Sequence, residues 1–258
     1  MALHKSLQKK IDFAIHTLKT YEPKAGYYVA FSGGKDSIVI YDLVKRAGVK
    51  HDVHYNVTTI DPPEVTRFIK KNYPEVERHV PEKSMFELVV KNRGLPTRIQ
   101  RWCCRLLKEG GGKDRVVVLG VRREESFNRS DRNLFDWHDN SLQLNLIVDW
   151  LECDVWEYIE EYGLKYPCLY DEDYSRIGCI ACPMAGHKQM KRELKKYPFI
   201  KRGYLKALKK VIENGGLDKF TNLGLDENNV LDWWVSDMSV DGYILSLNQM
   251  EMELNESN

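Results

Sequence analysis

The stretch 28–37, YVAFSGGKDS, decides the fold of this chain. Its first four residues are apolar, with the aromatic and β-branched character of a buried strand. Gly33 and Gly34 then permit backbone angles and close approaches that a Cβ would forbid, and the helix-like apolar run 38–44 follows. A strand, a glycine turn and a helix start aim free backbone N–H groups and the positive end of a helix dipole at one point. The stretch therefore predicts an anion site, and a phosphate is the expected ligand.

The spacing of this loop matches neither the Walker P-loop nor the G-x-G-x-x-G turn. SGGKDS instead resembles the PP-loop of the N-type ATP pyrophosphatases, which hold the β,γ-pyrophosphate of ATP and cleave between its α and β phosphates. The resemblance implies backbone donors from Gly33 and Gly34, hydroxyl donors from Ser32 and Ser37, and a point charge from Lys35. Asp36 would orient the loop or help to hold Mg²⁺. The alternative is a glycine turn without a ligand, although a turn alone does not require this lysine, aspartate and pair of serines.

The composition is that of an ordinary globular protein. The chain has 258 residues, of which 43% are hydrophobic and 30% charged, enough for one large domain or for a domain with a helical appendage. No apolar run approaches the ~18 residues that a membrane-spanning helix needs. Residues 1–18 predict an amphipathic helix rather than a signal peptide, so we expect a cytoplasmic protein without a membrane partner. The sequence leaves a homo-oligomer open.

Strands alternate with helices through the first two thirds of the chain. The patterns predict strands at 28–31, 51–57, 115–121 and 144–148, and helices at 4–20, 63–72, 84–92 and 154–162. This alternation predicts an α/β fold with a doubly wound, mainly parallel, Rossmann-like sheet and with ligand at the carboxyl ends of its strands. After Ile177 the pattern is helical and basic, with no strong strand.

Two loops at carboxyl ends of predicted strands should therefore carry site residues. The first supplies Thr59 and Asp61, and the second supplies Gly120, Arg122, Arg123, Glu125, Ser126 and Arg129. Arginine forks match phosphate and sulfate oxygens in a bidentate manner. We predict that these residues bind the nucleotide, with Lys35, Asp36 and Arg122 as the catalytic residues. For the second loop, a surface network of mutual salt bridges is the alternative.

Four of the six cysteines form two pairs. Cys103 and Cys104 are adjacent, whereas Cys179 and Cys182 form a CxxC pair. A set of four thiolates suits zinc or an iron–sulfur cluster. Adjacent cysteines are strained as chelators of one small ion but can bind separate irons. This geometry, together with the family resemblance described below, favours [4Fe–4S] over zinc. Unligated thiols are a further alternative.

The remaining two cysteines lack a marked environment in the sequence. We interpret Cys153 and Cys168 as helix and core cysteines, with persulfide carriers as the alternative.

Several segments occur in the order seen in the phosphoadenosine phosphosulfate (PAPS) reductase family. They are SGGKDS, WCC with a following basic residue, GVRREES…R, DWLECDVWEYI, and YPCLYD followed by RIGCIACP. The resemblance covers roughly residues 25 to 185 and implies a HUP-type sheet that binds an adenine nucleotide. It also implies the [4Fe–4S] cluster of the assimilatory adenylyl-sulfate reductases, on Cys103, Cys104, Cys179 and Cys182. Trp150 and the triplet 154–156 fall on family signatures, which we interpret as packing residues.

With these sites placed, we expect a PP-loop nucleotide-binding domain over 1–176 and a helical region over 177–258. The second region would carry the CxxC segment and complete the cluster site.

Two departures from the reductases bear on the reaction. The reductases end in a Glu-Cys-Gly-Leu-His segment whose cysteine attacks the sulfate sulfur, whereas this chain has no cysteine after Cys182. The reductases also tend to have a degraded PP-loop, which is intact here. Both departures favour an enzyme that cleaves ATP to AMP and pyrophosphate and so activates an acceptor for sulfur transfer. The alternatives are an APS/PAPS reductase that releases sulfite, and a non-catalytic nucleotide-binding subunit of a larger complex.

Charge is unevenly distributed although the net charge is only +1. The segment from Lys188 to Lys210 holds ten Lys/Arg and one Glu, and the residues from Thr221 onward include eight Asp/Glu and no Lys/Arg. Two solvated faces that attract one another are one interpretation, and a basic patch for a nucleic acid is the other. The expected partners are therefore ATP or a related adenine nucleotide with Mg²⁺, a sulfur donor or reductant protein, and a nucleic-acid acceptor.

Overall fold

The computed structural model describes residues 5–138 and 141–256, and its centre is a six-stranded sheet of order β3-β2-β1-β4-β6-β5. The strands are β1 (Tyr27–Ala30), β2 (His51–Asn56), β3 (Glu77–His79), β4 (Val116–Val118), β5 (Phe135–His138) and β6 (Ser141–Leu144). All neighbours are parallel except β5, which runs antiparallel to β6 at one edge. The predicted α/β fold with a mainly parallel sheet is confirmed.

Eleven α-helices lie within the described ranges. They are α1 (Lys5–Thr20), α2 (Lys35–Ala47), α3 (Pro63–Asn72), α4 (Met85–Lys91), α5 (Trp102–Leu107), α6 (Glu152–Glu161), α7 (His187–Lys196), α8 (Pro198–Glu213), α9 (Asp218–Thr221), α10 (Glu227–Trp234) and α11 (Val240–Glu256). The four predicted helices match α1, α3, α4 and α6, although His4 lies outside the described residues. Beyond residue 177 the described chain has no strand, as expected. None of the helices in these ranges is long and apolar enough to span a membrane.

The chain forms two compact units. The first comprises Met1–Pro81 and Arg105–Gly178, and the second comprises Glu82–Cys104 and Cys179–Asn258. This division differs from the one expected from the sequence, because residues 82–104 belong with the C-terminal helices. The PP-loop lies in the first unit, and all four cysteines of the two pairs lie in the second.

The core of the first unit fixes where β1 delivers its loop. Along α1 the buried residues recur at helical spacing, at Leu7, Ile11, Ala14 and Leu18. This stripe joins the same apolar cluster as Tyr27 and Val29 of β1. Because β1 is central in the sheet and almost fully buried, its carboxyl end presents residues 32–37 from a rigid base.

Three features of the sheet differ from the sequence predictions. The strand expected at 144–148 is instead β6, which ends at Leu144, and Ile147 is fully buried in the turn that follows. The apolar residues that follow Leu144 pack in the core and do not pair with another strand. β3 and β5 were not predicted, because ERH and FDWH are short and lack an apolar alternation.

The second unit has its own aromatic core. Tyr204 of α8 packs against Phe86 of α4 and Trp234 of α10, with ring centroids 5.3 and 5.1 Å away. The indole Nε1 of Trp234 donates a hydrogen bond of 2.7 Å to the carbonyl oxygen of Pro96. A Cβ at Gly203 would lie 2.3 Å from the Phe86 ring, so glycine allows α4 and α8 to approach closely. These contacts tie residues 82–104 to the C-terminal helices.

Candidate functional site

The glycine turn after β1 has the backbone that only glycine tolerates well. Gly33 has a φ of +73°, and a Cβ there would lie 2.8 Å from Cδ1 of Ile69 in α3. Gly34 is the N-cap residue of α2. The turn therefore brings the backbone close to α3 and leads directly into a helix N-terminus, the geometry that favours anion binding.

The two serines of the loop brace each other. Ser37 Oγ donates to the carbonyl oxygen of Gly34 at 2.8 Å and accepts from the backbone nitrogen of Ser32 at 3.2 Å. The backbone nitrogen of Gly34 lies 3.4 Å from Ser32 Oγ. The serines thus shape the loop, and their donation to a phosphate stays a prediction.

Lys35 is held by Ser175, Glu152 and Tyr170, none of which was predicted as a site residue. The residue is only 4% exposed, and its Nζ donates to the carbonyl oxygen of Ser175 at 2.8 Å and lies 3.2 Å from a Glu152 carboxylate oxygen. Its backbone nitrogen donates to the Tyr170 hydroxyl at 3.0 Å. Burial raises the pKa of Tyr170 above its ordinary value, so this hydroxyl stays neutral. The aromatic segment YPCLYD was visible in the sequence, but its contact with Lys35 spans 135 positions.

Asp36 joins the PP-loop to the loop after β4. Arg122 Nε donates to Asp36 Oδ1 at 2.6 Å, and Arg122 Nη1 donates to Glu124 at 2.6 Å. Burial raises the pKa of Asp36, and the opposite charges of Arg122 and Lys35 counteract that shift only in part. A Cβ at Gly120 would lie 3.1 Å from the carbonyl carbon of Asp36, so this glycine permits the close approach.

The other arginines of the second loop bind carboxylates nearby. Arg123 pairs with Asp149, and Arg129 pairs with Glu125, whose other contact is the backbone nitrogen of Arg122 at 3.1 Å. The salt-bridge interpretation therefore describes Arg123 and Arg129, whereas Arg122 faces the PP-loop.

The remaining predicted nucleotide residues are exposed or lie in the β2–α3 loop. Ser126 is exposed. Asp61 Oδ2 accepts from the backbone nitrogen of Thr58 at 2.7 Å, and Thr59 adopts a left-handed φ of +65°. For a β-branched residue this is an outlier, the kind of strain that clusters at ligand sites.

The second unit brings the four paired cysteines together. The pKa of the Cys103 thiol is raised, first by its hydrogen bond with Cys104, then by burial, and then by the electrostatic influence of Cys104, Cys179 and Cys182. Arg101 Nη2 lies 3.7 Å from Cys104 Sγ. Sequence positions separated by some 75 residues thus contribute thiols to one place.

The CxxC turn depends on a buried carboxylate that the sequence did not reveal. Ala181 adopts a left-handed φ of +57°, and its backbone nitrogen donates to Glu193 Oε2 at 2.7 Å. Gln189 donates to the other oxygen at 2.8 Å. Glu193 is 3% exposed, and burial raises the pKa of its carboxyl.

A buried hydroxyl lies beside the same thiols. Tyr204 is fully buried, and within the described part of the chain its hydroxyl oxygen has no hydrogen-bond partner. Burial raises its pKa, and Cys179, Cys103 and Cys182 add to the rise. A native interior seldom leaves a hydroxyl without a partner, so this orphan calls for an acceptor that the polypeptide does not supply.

The two other cysteines are at the surface, whereas the residues of the family signatures lie in or beside the core. Cys153 and Cys168 are both exposed, so their interpretation as core cysteines is wrong; Cys153 is a surface residue of α6. Trp150 and Val155 are buried in the apolar cluster, and Asp154 accepts from the backbone nitrogen of Leu151 at 2.6 Å. Their structural interpretation is confirmed.

Comparison with known proteins identifies the family. A family model for the phosphoadenosine phosphosulfate reductase domain matches residues 26–185. The chain belongs to the PAPS reductase family. An adenine-nucleotide-binding fold of the PP-loop type follows from this membership.

Relatives and a solved structure agree with the assignment. The chain is 32% identical to an uncharacterized protein of Methanocaldococcus jannaschii over 77% of its own length, but it spans only 45% of that relative. It is 28% identical to an adenosine 5'-phosphosulfate reductase of Oceanobacillus iheyensis, over 59% of this chain and 69% of the relative. The PAPS reductase of Candida auris, solved as a phosphate complex, superposes with a TM-score of 0.50 at 18% identity, over 69% of this chain and 97% of that one. This last likeness concerns the fold alone.

Proposed function

We propose that this member of the family cleaves ATP to AMP and pyrophosphate and so activates an acceptor for sulfur transfer. The observation that supports this reaction most is the intact PP-loop, with its glycine turn, its buried Lys35 and its Asp36–Arg122 pair. The β,γ-pyrophosphate of ATP is the group that such a cradle would hold.

The chemistry is an in-line displacement followed by a transfer. An acceptor oxygen attacks the α-phosphorus of ATP, and the bond from that phosphorus to the bridging oxygen breaks and releases pyrophosphate. A sulfur nucleophile then displaces AMP from the acceptor. The backbone N–H groups at the start of α2 and the Lys35 ammonium stabilise the charge that develops on the pyrophosphate. We expect Lys35 Nζ to exchange the Ser175 carbonyl oxygen for a phosphate oxygen when ATP binds.

Asp36 is the candidate ligand for Mg²⁺ in this loop. Its Oδ1 is occupied by Arg122, whereas Oδ2 lies 3.9 Å from Lys35 Nζ. A carboxylate oxygen is the donor that Mg²⁺ prefers. The ion would neutralise phosphate charge as pyrophosphate departs.

Cys103, Cys104, Cys179 and Cys182 would hold a [4Fe–4S] cluster. Among the described residues, no three cysteine sulfurs lie within 4.8 Å of one another, whereas a tetrahedral zinc site needs sulfurs about 3.8 Å apart. Wider spacing suits thiolates that bind separate irons, and the Tyr204 hydroxyl offers a donor to an inorganic or cysteine sulfur. Such a cluster would supply electron-transfer chemistry.

The acceptor is proposed to be a polyanion. The ten basic residues between Lys188 and Lys210 lie on or beside α7 and α8, and all except Lys196 are exposed. Glu193, the acidic member of the segment, is turned inward to the CxxC turn. The exposed charges of α7 and α8 are therefore cationic apart from Glu213 at the end of α8, which suits nucleic-acid binding.

The deciding experiment follows ATP with the full chain purified without oxygen. Protein is incubated with ATP, Mg²⁺ and sulfide as the sulfur nucleophile, with tRNA, DNA or sulfate added in turn, and AMP and pyrophosphate are measured. We expect equal amounts of both with one acceptor, and their loss in Lys35→Met. Lys45→Met is the matched control, because Lys45 is an exposed lysine on the same helix.

A second candidate is sulfonucleotide reduction, favoured by the 28% identity to an adenosine 5'-phosphosulfate reductase. Release of sulfite from adenylyl sulfate with a thiol reductant, without AMP or pyrophosphate from ATP, would establish this reaction instead. Nucleotide binding without turnover of either substrate would indicate a non-catalytic subunit.

A further inference from the structure

Three side chains on neighbouring strands of the first unit converge outside the PP-loop. His54 lies on β2, and Glu77 and His79 lie on β3. The parallel register sets His54 beside Glu77 and Asn56 beside His79. Because alternate residues of a strand share a face, Glu77 and His79 project to the same side of the sheet. One ligand atom from each of the three residues lies within 4.8 Å of the other two.

The separations suit a single metal ion. His54 Nδ1 and His79 Nε2 are 2.8 Å apart, and Glu77 oxygens lie 3.5 Å from His54 Nδ1 and 3.8 Å from His79 Nε2. Bonds of ~2.0–2.1 Å in a tetrahedron place two ligand atoms about 3.4 Å apart. The three observed distances bracket this value, and rotation of the exposed Glu77 and His79 side chains would direct their ligand atoms at one ion.

His54 is oriented as a ligand by residues behind it. The Asp52 carboxylate contacts His54 Nε2, and Arg115 holds that carboxylate with two hydrogen bonds of 2.7 and 2.5 Å. These two hydrogen bonds fix the position of the Asp52 carboxylate as an acceptor for His54. An acceptor at Nε2 places the proton there and leaves the lone pair on Nδ1, which faces Glu77 and His79.

Packing also fixes the His54 ring. The ring of Tyr28 on β1 stacks on it with centroids 4.0 Å apart and an interplanar angle of 6°. His54 is 8% exposed, whereas the side chains of Glu77 and His79 are 65% and 42% exposed. One ligand is therefore rigid, and the other two open to solvent, which gives an ion an entry path.

We propose that His54, Glu77 and His79 bind a divalent metal ion, and that zinc is the ion they fit best. Two imidazoles and one carboxylate are a zinc ligand set that leaves the fourth position to water. Without the ion, His79 Nε2 carries the proton that lies between the two imidazoles. When the ion binds, the single ring proton of His79 is on Nδ1 instead, so the two facing nitrogens both have a lone pair for the metal. The ion cross-links the edge strand β3 to β2 and stabilises the folded state by an amount that grows with the logarithm of the free zinc concentration relative to Kd. This site does not depend on the sulfur chemistry proposed above.

The test must separate this site from the four thiols. Full-length wild-type, Glu77→Gln, His79→Ala and Asp52→Asn proteins are titrated with zinc by calorimetry, and bound zinc is counted after dialysis. We expect wild type to bind one more equivalent than His79→Ala or Glu77→Gln. Asp52→Asn should bind that equivalent 10- to 100-fold more weakly, as loss of an outer partner does.

His51→Gln is the matched control, because His51 lies on the same strand and its Nδ1 is directed at the Val49 carbonyl oxygen, 2.8 Å away. It should retain the wild-type zinc count, and zinc should raise its Tm as much as that of wild type and more than that of Glu77→Gln. Equal stoichiometry and affinity in wild type and both ligand variants would overturn the proposal. Since Glu77 is exposed, its variant should fold even where His79→Ala does not.

Discussion

Arg122 and Asp36 form a buried ion pair, with 2.6 Å between Nε and Oδ1, that connects the loop after β4 to the loop after β1. The two side chains are 3% and 18% exposed. A pair of this kind contributes little net stability when complete, but removal of one partner strands the other charge in the interior. The position of the PP-loop therefore depends on a residue 86 positions away.

Removal of that arginine should destabilise the first unit. We expect Arg122→Ala to lower the free energy of unfolding by about 3 kcal/mol at pH near 7, since Asp36 loses its cation. Urea denaturation measures the change. Arg123→Ala is the control, because Arg123 and its partner Asp149 are 40% and 66% exposed and loss of their pair should cost less than about 1 kcal/mol.

The defect of Arg122→Ala should also depend on pH. Burial already raises the pKa of Asp36, and loss of Arg122 raises it further. Because the folded-state pKa then exceeds the unfolded one, stability increases as pH falls through this window. The difference from wild type should therefore shrink between pH of about 7 and about 4. A difference that is constant with pH would show that Asp36 is not the stranded group.

Gly33 and Gly48 provide a matched pair of glycine substitutions. Both have positive φ, of +73° and +68°, but a Cβ meets Ile69 at Gly33 and open space at Gly48. Gly48→Ala should cost about 1 kcal/mol of stability and leave nucleotide affinity unchanged. Gly33→Ala should cost more and weaken ATP binding at least tenfold, as measured by calorimetry. Equal effects on ATP affinity would contradict a role for the Gly33 backbone.

Glu193 should control assembly of the cysteine site. Glu193→Ala removes the acceptor of the Ala181 N–H in a left-handed turn and should reduce anaerobic iron content and the absorbance near 400 nm. Glu193→Gln retains an acceptor oxygen and should preserve most of both. Loss in the two variants alike would indicate that the charge, rather than the hydrogen bond, is required.

Tyr204→Phe should leave the stability of the apoprotein unchanged or raise it, but should lower the reduction potential of a bound cluster. In the apoprotein it deletes a hydroxyl without a partner and should be neutral or stabilising by about 1 kcal/mol. In cluster-containing protein it removes a donor to sulfur, so we expect a more negative reduction potential, measured by a titration followed by electron paramagnetic resonance. Tyr243→Phe, in the same unit but without an electrostatic contribution from the cysteines, should leave the potential unchanged.

Local patterns were enough to predict much of the fold. The alternation in HDVHYNV marked β2, and Ser84 with Glu87 marked the start of α4, where both hydrogen bonds of the capping box are present. The edge strands β3 and β5 escaped because each pairs with a single neighbour and needs no continuous apolar face. The run at 144–148 was misplaced because a buried turn and a buried strand have the same apolar composition.

In the candidate site, too, local motifs could be predicted from the sequence, whereas contacts that depend on the fold could not. The PP-loop, the CC pair and the CxxC pair are local motifs and were visible. Tyr170, Glu152 and Glu193 act through contacts that depend on the fold, and a buried tyrosine or glutamate carries no distinguishing pattern in the sequence. The two histidines and Glu77 were also invisible as a set, because their proximity arises from the register of β2 and β3.

The second unit is built from two segments that are far apart in the chain, and this affects how it folds during translation. Glu82–Cys104 leaves the ribosome before the last strands of the sheet, yet its partners Tyr204 and Trp234 are made only later. Met85, Leu88 and Val89 of α4 must therefore remain uncovered while the nucleotide-binding unit is completed. A fragment that stops at Gly178 would keep the PP-loop but expose this apolar helix permanently, and would hold only half of the paired thiols.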